Sequence, residues 1–520
     1  MISSVASACL LGVEGVPVTV EVHVSNGLPG FTIVGLPDAA CRESRDRVRA
    51  ALLSSSLSWS TKRVTVNLAP SGTRKNGAGL DLAIAIGFLV STGELAHHQV
   101  RDIGFIGELG LDGSIRPIPG VLSLIGATRA KTVIVPVECV VEASIVKDKS
   151  VKFARDLAEL VAALKGLRTF RENKPSRQPP KFPSGIDQSS PDLDRGYLYG
   201  DLDEIKGQRL GKRALEISAA GGHNLLMVGP PGSGKTMLAR ALVSILPELS
   251  FDQAVEVAKI HSAAGYSLGN LGRVHQPPFR SPHPSSSTVS ILGGGTYAMR
   301  PGEISLAHFG VLFLDEFAEF PVKVLESLRQ PLEDRVIRVS RSSSSITFPA
   351  NFQLVAAMNP CPCGEGTYSG SCRCNAAQLT RYARRLSGPL LDRFDLRVTI
   401  ARPSPEELVG ASCSESTKQV AEKVARARQS QLSRFSKLSS QMNPSEVSRL
   451  IKTTPRARRL LVRNLSNGNL SVRGLARTKK VALTISVLDG VPGLVDEHHI
   501  GEALELRSGL SQLARRLEAC

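Results

Sequence analysis

The 520-residue sequence has few aromatic residues and no apolar run long enough to form a membrane-spanning helix. Aromatic side chains make up 4% of it, and Trp59 is the one tryptophan, which argues against a surface that binds nucleic acid by stacking bases. The best apolar segment, residues 78–93, is interrupted by Asp81 and is shorter than the ~20 residues that a spanning helix needs. Residues 1–15 lack the basic start of a signal peptide. We therefore expect a cytoplasmic protein with no membrane partner.

The sequence has fewer acidic than basic residues. It contains 47 Asp and Glu and 64 Lys and Arg, which gives a formal net charge of +17. Basic proteins often bind nucleic acid, because neutralising phosphates releases counterions. With so few aromatic residues, the expected contacts are to the sugar-phosphate backbone. A generally basic surface with no nucleic-acid partner is the alternative.

The composition divides the chain into segments. Residues 169–198 are rich in Pro, Ser and charged residues without an apolar period, which is typical of a linker. Before it, residues 1–168 alternate β-rich runs with helical stretches, and residues 199–400 show a second α/β pattern. Residues 401–520 carry apolar residues at helical spacing. We predict an α/β domain, a linker, a second α/β domain and a helical C-terminal domain.

The clearest motif is GPPGSGKT at residues 229–236, which fits the P-loop pattern at every fixed position. An apolar strand precedes it and a helix-like segment follows, as this motif requires. Glycine lets the backbone N–H groups surround phosphates, and the helix N-terminus adds positive potential. The predicted ATP-binding residues are Gly229, Pro230, Pro231, Gly232, Ser233, Gly234, Lys235 and Thr236. Lys235 is expected to reach the β- and γ-phosphates, and Thr236 to hold Mg²⁺.

Two further apolar segments end in polar residues. GVLFLDEF at residues 310–317 predicts a buried parallel strand with two carboxylates at its C-terminal end. We expect Asp315 to hold Mg²⁺ through water and Glu316 to polarise the attacking water. In the next strand, residues 352–360, Asn359 is placed to position that water. Arg393, in SGPLLDRFDL, is predicted to be exposed and to reach a neighbouring subunit's γ-phosphate, with a salt bridge to Asp392 or Asp395 as the alternative.

Four of the nine cysteines, Cys361, Cys363, Cys372 and Cys374, fall in a Cys-rich insert at residues 361–374. Four thiolates can close a tetrahedral structural zinc site with no open position for catalysis. The C-x-C spacing is tighter than the usual C-x₂-C, so buried free cysteines or a redox pair remain alternatives.

Two segments are candidates for gripping DNA. Residues 334–352 are predicted to form a hairpin in which Arg338 and Arg341 contact phosphates. Residues 273–295 are rich in Pro, Ser and Gly and are predicted to form a loop with little secondary structure. An ordinary contact between subunits is the alternative for both.

These motifs, in this order, resemble those of AAA+ ATPases. The connecting segments GGHNLLMVGPPGSGKTMLARAL, RPGEISLAHFGVLFLDEF, MNPCPCG, SGPLLDRFDLRV and SVRGLARTKKVALTI are similar to the YifB/ComM family of magnesium-chelatase-like ATPases. GFTIVGLPDAACRESRDRVRAAL and GELGLDGSIRPIPGVL resemble that family's first domain. The resemblance covers nearly the whole chain apart from the linker.

The resemblance implies a fold and a function. Residues 1–168 should have the Lon-protease-like fold (ribosomal S5 domain 2-like), 199–400 the AAA+ core and 401–520 a helical lid. The protein should form a hexameric ring, hydrolyse ATP with Mg²⁺ and act as a DNA branch-migration helicase that promotes integration of single strands in natural transformation. By matching motifs, Asn359 is sensor 1, Arg393 the arginine finger and Arg473 sensor 2.

The first domain lacks the serine and lysine of a Lon-type protease. The serine position falls on Gly79, and residues 121–124 (VLSL), ending in Leu124, supply no lysine. Without a nucleophile and base, peptide hydrolysis is excluded, and we expect a structural or DNA-binding domain. The competing function is a chelatase-type or chaperone-type ATPase that remodels a protein partner.

Overall fold

The computed structural model describes residues 2–72, 75, 77–172, 201–266, 275–295, 299–341, 344–365, 372–385, 388–409, 415–468 and 470–518. Most of the predicted linker, 169–198, lies outside these residues. In the described part, no helix is both long and apolar enough to cross a bilayer.

The first part of the chain, residues 2–172, is built on a mixed sheet in the order β10-β9-β8-β5-β1-β2-β4-β3. The strands of this part are β1 Ile2–Leu11, β2 Glu14–Ser25, β3 Gly30–Val34, β4 Arg63–Ala69, β5 Ile103–Phe105, β6 Glu108–Leu109, β7 Ile115–Arg116, β8 Thr132–Pro136, β9 Ser150–Ala154 and β10 Arg171–Glu172. Strands β6 and β7 pair with each other outside the main sheet. Its helices are α1 Ala39–Ser54, α2 Asp81–Thr92, α3 His97–Val100, α4 Val121–Ala127, α5 Val140–Ile145 and α6 Leu157–Leu164. The predicted α/β class is confirmed, while the Lon-like arrangement stays a prediction.

Helix α2 is the apolar segment that the sequence singled out. It is buried along almost its whole length and packs on β1 and β2. Its first residue, Asp81, is enclosed, accepts from Ser44 Oγ at 2.5 Å and pairs with Arg47 Nε at 2.6 Å. A helix that is apolar on all sides belongs in a protein core, and this one forms the core of the first domain.

The second part is built on a parallel five-stranded sheet in the order β12-β15-β18-β11-β19. This part has nine strands in its described residues, of which β13 with β14 and β16 with β17 form two separate antiparallel pairs. They are β11 Leu225–Val228, β12 Phe279–Arg280, β13 Gly293–Gly294, β14 Arg300–Pro301, β15 Val311–Leu314, β16 Val336–Arg341, β17 Ser344–Pro349, β18 Gln353–Met358 and β19 Leu396–Thr399. Its helices are α7 Arg209–Gly221, α8 Lys235–Ser244, α9 Phe251–Ala264, α10 Thr288–Leu292, α11 Glu303–Leu306, α12 Val322–Ser327, α13 Arg329–Asp334, α14 Ala376–Arg384 and α15 Gly388–Leu391.

The central strands of this sheet, β11, β15 and β18, are buried at every position, as expected for a parallel sheet that is covered on both faces. Because parallel strands share one carboxyl edge, the residues that follow β11, β15 and β18 meet there. This edge carries the P-loop, Asp315 and Asn359.

The last part is helical, as predicted. Its elements are α16 Pro405–Val409, α17 Thr417–Phe435, α18 Pro444–Leu450, β20 Lys452–Thr453, α19 Pro455–Ser466, α20 Val472–Leu488, β21 Leu494–Val495 and α21 Glu497–Glu518. Helices α17 and α20 pack against α7, and α21 packs against β19. Leu215, Val424 and Ile485 belong to one buried cluster. The helical domain and the parallel sheet therefore share a core.

The first domain contacts the second. Gly120 N donates to the Ser262 carbonyl at the end of α9 at 2.8 Å. Val13, in the turn between β1 and β2, is buried in one cluster with Ile346 and Phe348 of β17. The predicted hairpin at residues 334–352 is present as β16 and β17, and its base rests on the first domain.

Candidate nucleotide-binding site

The P-loop connects β11 to α8 in a conformation that its glycines allow. Gly232 and Gly234 have φ of 75° and 85°, in the left-handed region that glycine enters without steric cost. A Cβ on Gly229 would lie 2.1 Å from the Ile400 carbonyl oxygen, so the backbone passes β19 too closely for any side chain. The spacing of glycines in the motif is therefore imposed by backbone geometry.

Lys235 begins α8, and its ammonium group lies in the mouth of the loop. Nζ donates to the carbonyl oxygens of Gly229 and Pro230 at 2.7 and 2.8 Å and lies 3.4 Å from Asn359 Oδ1. Among the described residues, no carboxylate forms an ion pair with it. Burial lowers the pKa of Lys235, and the charge of Asp315 opposes this shift. A cation with no ion pair among the described residues, beside the backbone N–H groups of a helix N-terminus, fits a phosphate ligand.

Thr236 and Asp315 bring two oxygen ligands together. Thr236 Oγ1 donates to Asp315 Oδ2 at 2.8 Å, and Asp315 Oδ1 accepts from Glu316 N at 2.9 Å. Neighbouring ligands of an octahedral Mg²⁺ at about 2.1 Å lie about 3.0 Å apart. The spacing and chemistry of these two oxygens therefore fit Mg²⁺.

Glu316 adopts a left-handed backbone conformation, with φ 50° and ψ 44°, which is uncommon for a residue with a side chain. Its carboxylate is exposed, and no hydrogen bond or ion pair from the described residues holds it. The next element is a short 3-10 turn, Phe317–Glu319. The backbone reversal directly after β15 presents Glu316 at the same edge as the P-loop.

Asn359 follows β18 and completes this edge. Its Oδ1 faces Lys235, and its carbonyl oxygen accepts a hydrogen bond from the Tyr382 hydroxyl at 2.9 Å. Tyr382 is buried, which raises the pKa of its phenol. The carboxyl edge thus brings together the P-loop, Asp315, Glu316 and Asn359, all of which were candidates from sequence. Tyr382 was not anticipated, because nothing in its local sequence marks it.

Arg393 and Arg473 lie away from this edge. The Arg393 carbonyl accepts from Asn224 Nδ2 at 3.1 Å and from Arg477 Nη1 at 3.2 Å. Asn224 directly precedes β11, so Arg393 lies at the amino end of the strand whose carboxyl end carries the P-loop. Both Arg393 and Arg473 line a groove of about 1230 Å³ between the sheet and the helical domain.

The expectation that Arg393 is exposed is wrong. Its residue surface is 9% exposed, and its guanidinium pairs with Glu333 of α13, not with Asp392 or Asp395. Burial lowers the pKa of Arg393, the Glu333 carboxylate raises it, and nearby Arg477 and Arg473 lower it further. Arg473, in contrast, is exposed. The groove therefore concentrates guanidinium groups.

Asp395, two residues after Arg393, anchors a buried network that sequence reasoning missed. It accepts from Arg477 Nη1 at 2.5 Å, and its other oxygen faces His223 Nδ1 at 3.3 Å. His223 Nε2 lies 2.8 Å from Thr484 Oγ1. Arg477 and Thr484 belong to α20, so the network ties the helical domain to the sheet.

The four clustered cysteines lie together. Their sulfur atoms are all within 4.8 Å of one another, with Cys361 buried and Cys363 exposed. The Sγ distances from Cys361 to Cys363 and Cys372 are 3.2 and 3.7 Å, and Cys363 Sγ lies 3.7 Å from Cys372 Sγ. Sulfurs bound at 2.3 Å to a tetrahedral zinc lie about 3.8 Å apart. Hydrogen bonds from the Arg373 and Glu365 backbone lower the pKa of Cys363 to about 6, which favours the thiolate that metals bind.

The two DNA-grip candidates differ. In the β16–β17 hairpin, Ile337 is buried and Arg338 is exposed, whereas the side chain of Arg341 lies outside the described part. In the second segment, residues 275–295 of 273–295 are described and include β12, α10 and β13. The expectation of a loop with little secondary structure therefore holds for most of these residues and is wrong at the three short elements. Arg280 is buried in an ion pair with Glu303, which structures this segment.

In the first domain, the positions that correspond to the serine and lysine of a Lon-type protease are packed against other residues. A Cβ on Gly79 would lie 2.4 Å from Ile118 Cδ1, so an apolar side chain occupies the space that a nucleophile would need. Ser123 is buried and donates to the Val13 carbonyl at 2.6 Å. Neither residue is arranged for attack on a peptide bond.

A P-loop and a carboxylate pair at the carboxyl edge of a parallel sheet define a P-loop nucleoside-triphosphate-binding protein. Family models match in succession: Subunit ChlI of Mg-chelatase over residues 20–139, Magnesium chelatase, subunit ChlI over 201–408, and Magnesium chelatase, subunit ChlI C-terminal over 414–507.

Curated relatives match along nearly the whole chain. Competence protein ComM of Haemophilus influenzae is 42% identical over 507 residues, 97% of each chain. Uncharacterized protein YifB of Escherichia coli is 41% identical over 517 residues, 98% of this chain and 97% of its own. DNA replication licensing factor mcm-6 of Caenorhabditis briggsae is 24% identical over 179 residues, 34% of this chain and 18% of its own. The chain belongs to the YifB/ComM family of magnesium-chelatase-like AAA+ proteins.

Proposed function

We propose that this protein is an ATP-driven, ring-shaped DNA motor, a branch-migration helicase that promotes integration of single-stranded DNA. The observation that carries the ATPase part is the convergence of Lys235, the Thr236–Asp315 pair, Glu316 and Asn359 at one sheet edge. A cytoplasmic location, where ATP and DNA are both present, belongs to this proposal.

Each residue at the edge has a role in hydrolysis. Lys235 exchanges its carbonyl partners for the β- and γ-phosphate oxygens of ATP. Thr236 and Asp315 would hold Mg²⁺, which neutralises phosphate charge. Glu316 accepts a proton from the attacking water, because its exposed carboxylate has no hydrogen-bond partner among the described residues. Asn359, held through its carbonyl by Tyr382, keeps that water in line.

Arg393 and Arg473 act on the ATP of a second copy of this chain. Their groove lies at the amino end of β11, whereas the chain's own P-loop lies at the carboxyl end. Neither guanidinium can serve its own P-loop without crossing the sheet. Repeating this head-to-tail contact closes a ring if the rotation permits, and a hexamer is the ring that we propose. On binding, the γ-phosphate replaces Glu333 as the partner of Arg393.

Basic charge and relatives support DNA as the polymer that is moved. The net charge of +17 favours an anionic partner, and the exposed Arg338 of the β16–β17 hairpin supplies a phosphate contact, with Arg341 as a second. A relative is named a competence protein, and another a DNA replication licensing factor. With Ile118 packed against Gly79, the first domain is not a protease but a structural or DNA-binding domain.

The chelatase family models favour a second candidate, an ATPase that remodels a protein partner. The two candidates differ in what stimulates hydrolysis. A DNA motor should also lose DNA affinity steeply with salt, because phosphate contacts release counterions.

We further propose that Cys361, Cys363, Cys372 and Cys374 bind one structural Zn²⁺. Four cysteines leave no open position, so the metal would hold the loop and take no part in catalysis. Purified protein should contain about one zinc per chain, and Cys363→Ser with Cys372→Ser should remove it.

The deciding experiment is steady-state ATP hydrolysis by the full chain, alone and with single-stranded DNA, a four-way junction or an unfolded protein. Lys235→Ala provides the blank. Stimulation by DNA that is absent from the blank supports the motor and leads to a branch-migration assay. Stimulation by the unfolded protein and not by DNA would overturn the motor in favour of the remodelling ATPase.

A further inference from the structure

The loop that carries the cysteines lies against the P-loop. Gly364 directly follows Cys363 and has φ of 84°. A Cβ on Gly364 would lie 2.8 Å from both Cδ and Cγ of Pro231. Only a residue without a side chain allows this approach, so the cysteine turn and the phosphate-binding loop are in van der Waals contact.

A polar bridge joins the same two loops. Arg402, which follows β19, donates from Nε to the Pro231 carbonyl at 3.3 Å and from Nη2 to Glu365 Oε1 at 3.2 Å. Glu365 directly follows Gly364 at the end of the cysteine turn. One guanidinium, whose side chain is 54% exposed, therefore bridges the P-loop backbone and the cysteine turn with the planar donor fork that lysine lacks.

The other half of the cysteine cluster reaches the site by a different route. Cys372 and Cys374 precede α14, whose Tyr382 hydroxyl donates to the Asn359 carbonyl at 2.9 Å. Cys361 lies two residues after Asn359 on the opposite flank. A metal bound by all four sulfurs would thus cross-link the segment after Asn359 to the helix that holds Asn359.

We propose that the metal-filled cysteine loop positions the P-loop, through Gly364 and the Glu365–Arg402 pair, and thereby sets the affinity for ATP. The inference rests on the proposed ATP and zinc sites and adds their coupling. Arg402 is a positioning residue in this scheme, because it acts on nucleotide through Pro231. Removal of zinc loosens the loop without changing Lys235, Thr236 or Asp315.

The test measures two quantities on the full chain: zinc content by atomic spectroscopy and the Kd of a fluorescent ATP analogue in Mg²⁺ buffer. Metal-free protein is prepared by dialysis with a zinc chelator and a reductant, followed by removal of the chelator. We expect the Kd to rise about tenfold in metal-free protein and to recover when Zn²⁺ is restored. Cys139→Ala, in a buried cluster of the first domain, serves as the matched control and should respond to zinc removal like the wild type.

Two variants separate coupling from a loss of folding. Arg402→Gln should keep its zinc and raise the Kd about threefold, as expected for loss of one bridging side chain, and its Kd should depend less on zinc than that of the wild type. Arg402→Lys keeps the charge but not the fork, so it should not restore the coupling. Gly364→Ala should also keep zinc while displacing Pro231 and weakening ATP binding.

An unchanged Kd in metal-free protein would overturn the inference, and so would an Arg402→Gln variant that binds ATP and responds to zinc like the wild type. Protein that contains and binds no zinc overturns it as well. Protein that binds no ATP even with zinc instead refutes the proposed ATPase. The two failures are therefore distinguishable.

Discussion

Replacing Asp395 with asparagine should weaken the attachment of the helical domain to the parallel sheet. Asp395 is buried, accepts from Arg477 of α20 at 2.5 Å and faces His223, which precedes β11, at 3.3 Å. The Arg477 side chain is 21% exposed, so little water can replace the carboxylate. Asparagine keeps the size of the side chain and removes its charge. The change therefore tests the ion pair and not packing.

The expected loss follows from burial. Removing one partner of a buried ion pair costs about 3–5 kcal/mol, because the remaining charge stays uncompensated. At about 2 °C per kcal/mol for a unit of this size, the melting temperature of the ATPase and helical domains should fall by roughly 6–10 °C. Glu415→Gln is the matched control, since Glu415 forms an exposed ion pair with Lys423 in the helical domain. Its loss should stay at or below about 1 kcal/mol.

The dependence on pH gives a second readout. Burial raises the pKa of Asp395, but the Arg477 charge, the His223 hydrogen bond and the Lys480 charge outweigh it and hold the pKa well below its usual range. A carboxyl with a lowered folded pKa contributes its full stability above the unfolded value of about 3.9 and loses it as pH falls. The gap between wild type and Asp395→Asn should therefore be constant from pH 8 to 5 and narrow below pH 4.

Thermal and urea unfolding, followed by circular dichroism at several pH values, measure this gap. If Asp395→Asn melted within 1 °C of the wild type at pH 7, the ion pair would not hold the helical domain. A gap no larger than that of Glu415→Gln would refute the reasoning from burial in the same way.

Three further outcomes are expected. Glu316→Gln should bind ATP normally and hydrolyse it about 10²–10⁴-fold more slowly, because it keeps the fold and loses the base; single-turnover hydrolysis measures this. Burial lowers the pKa of His261 to about 4, although a hydrogen bond to the Leu306 carbonyl opposes this shift. The free energy of unfolding should therefore fall as the pH drops below 6.5, by up to about 3 kcal/mol at pH 4. His261→Gln should reduce this dependence on pH, as measured by thermal unfolding at several pH values. Gly229→Ala should abolish binding of the fluorescent ATP analogue, because its Cβ would meet the Ile400 carbonyl.

Each outcome has a control. Glu319→Gln, at an exposed carboxylate near Glu316 that pairs with Arg385, should leave hydrolysis largely intact. His98→Gln, at an exposed histidine, should leave the pH dependence of the melting temperature unchanged. Gly126→Ala should keep ATP binding, because a Cβ there meets nothing within 4 Å. If a control variant changed hydrolysis, stability at low pH or ATP binding as much as its test variant, the role given to Glu316, His261 or Gly229 would be contradicted.

The sequence by itself determined the nucleotide edge of this protein. The P-loop occupies eight consecutive residues, and Asp315, Glu316 and Asn359 each end an apolar run. Parallel pairing brings such ends to one edge, so a local pattern was sufficient. The helical C-terminal part followed from the helical spacing of its apolar residues, and the β16–β17 hairpin was predicted from its own segment, residues 334–352. The four cysteines are close in sequence, although their spacing left alternatives to a metal site.

Only the tertiary structure decided which distant residues share a site. In the folded chain, Arg393 lies at the amino end of the sheet and is buried against Glu333. Arg473 lines the same groove as Arg393. Gly364 contacts Pro231, and Arg402 bridges the cysteine turn and the P-loop, although it lies 171 residues from Pro231 in the sequence. Such contacts depend on how whole domains pack, and side-chain packing between distant segments leaves no period or motif in the local sequence.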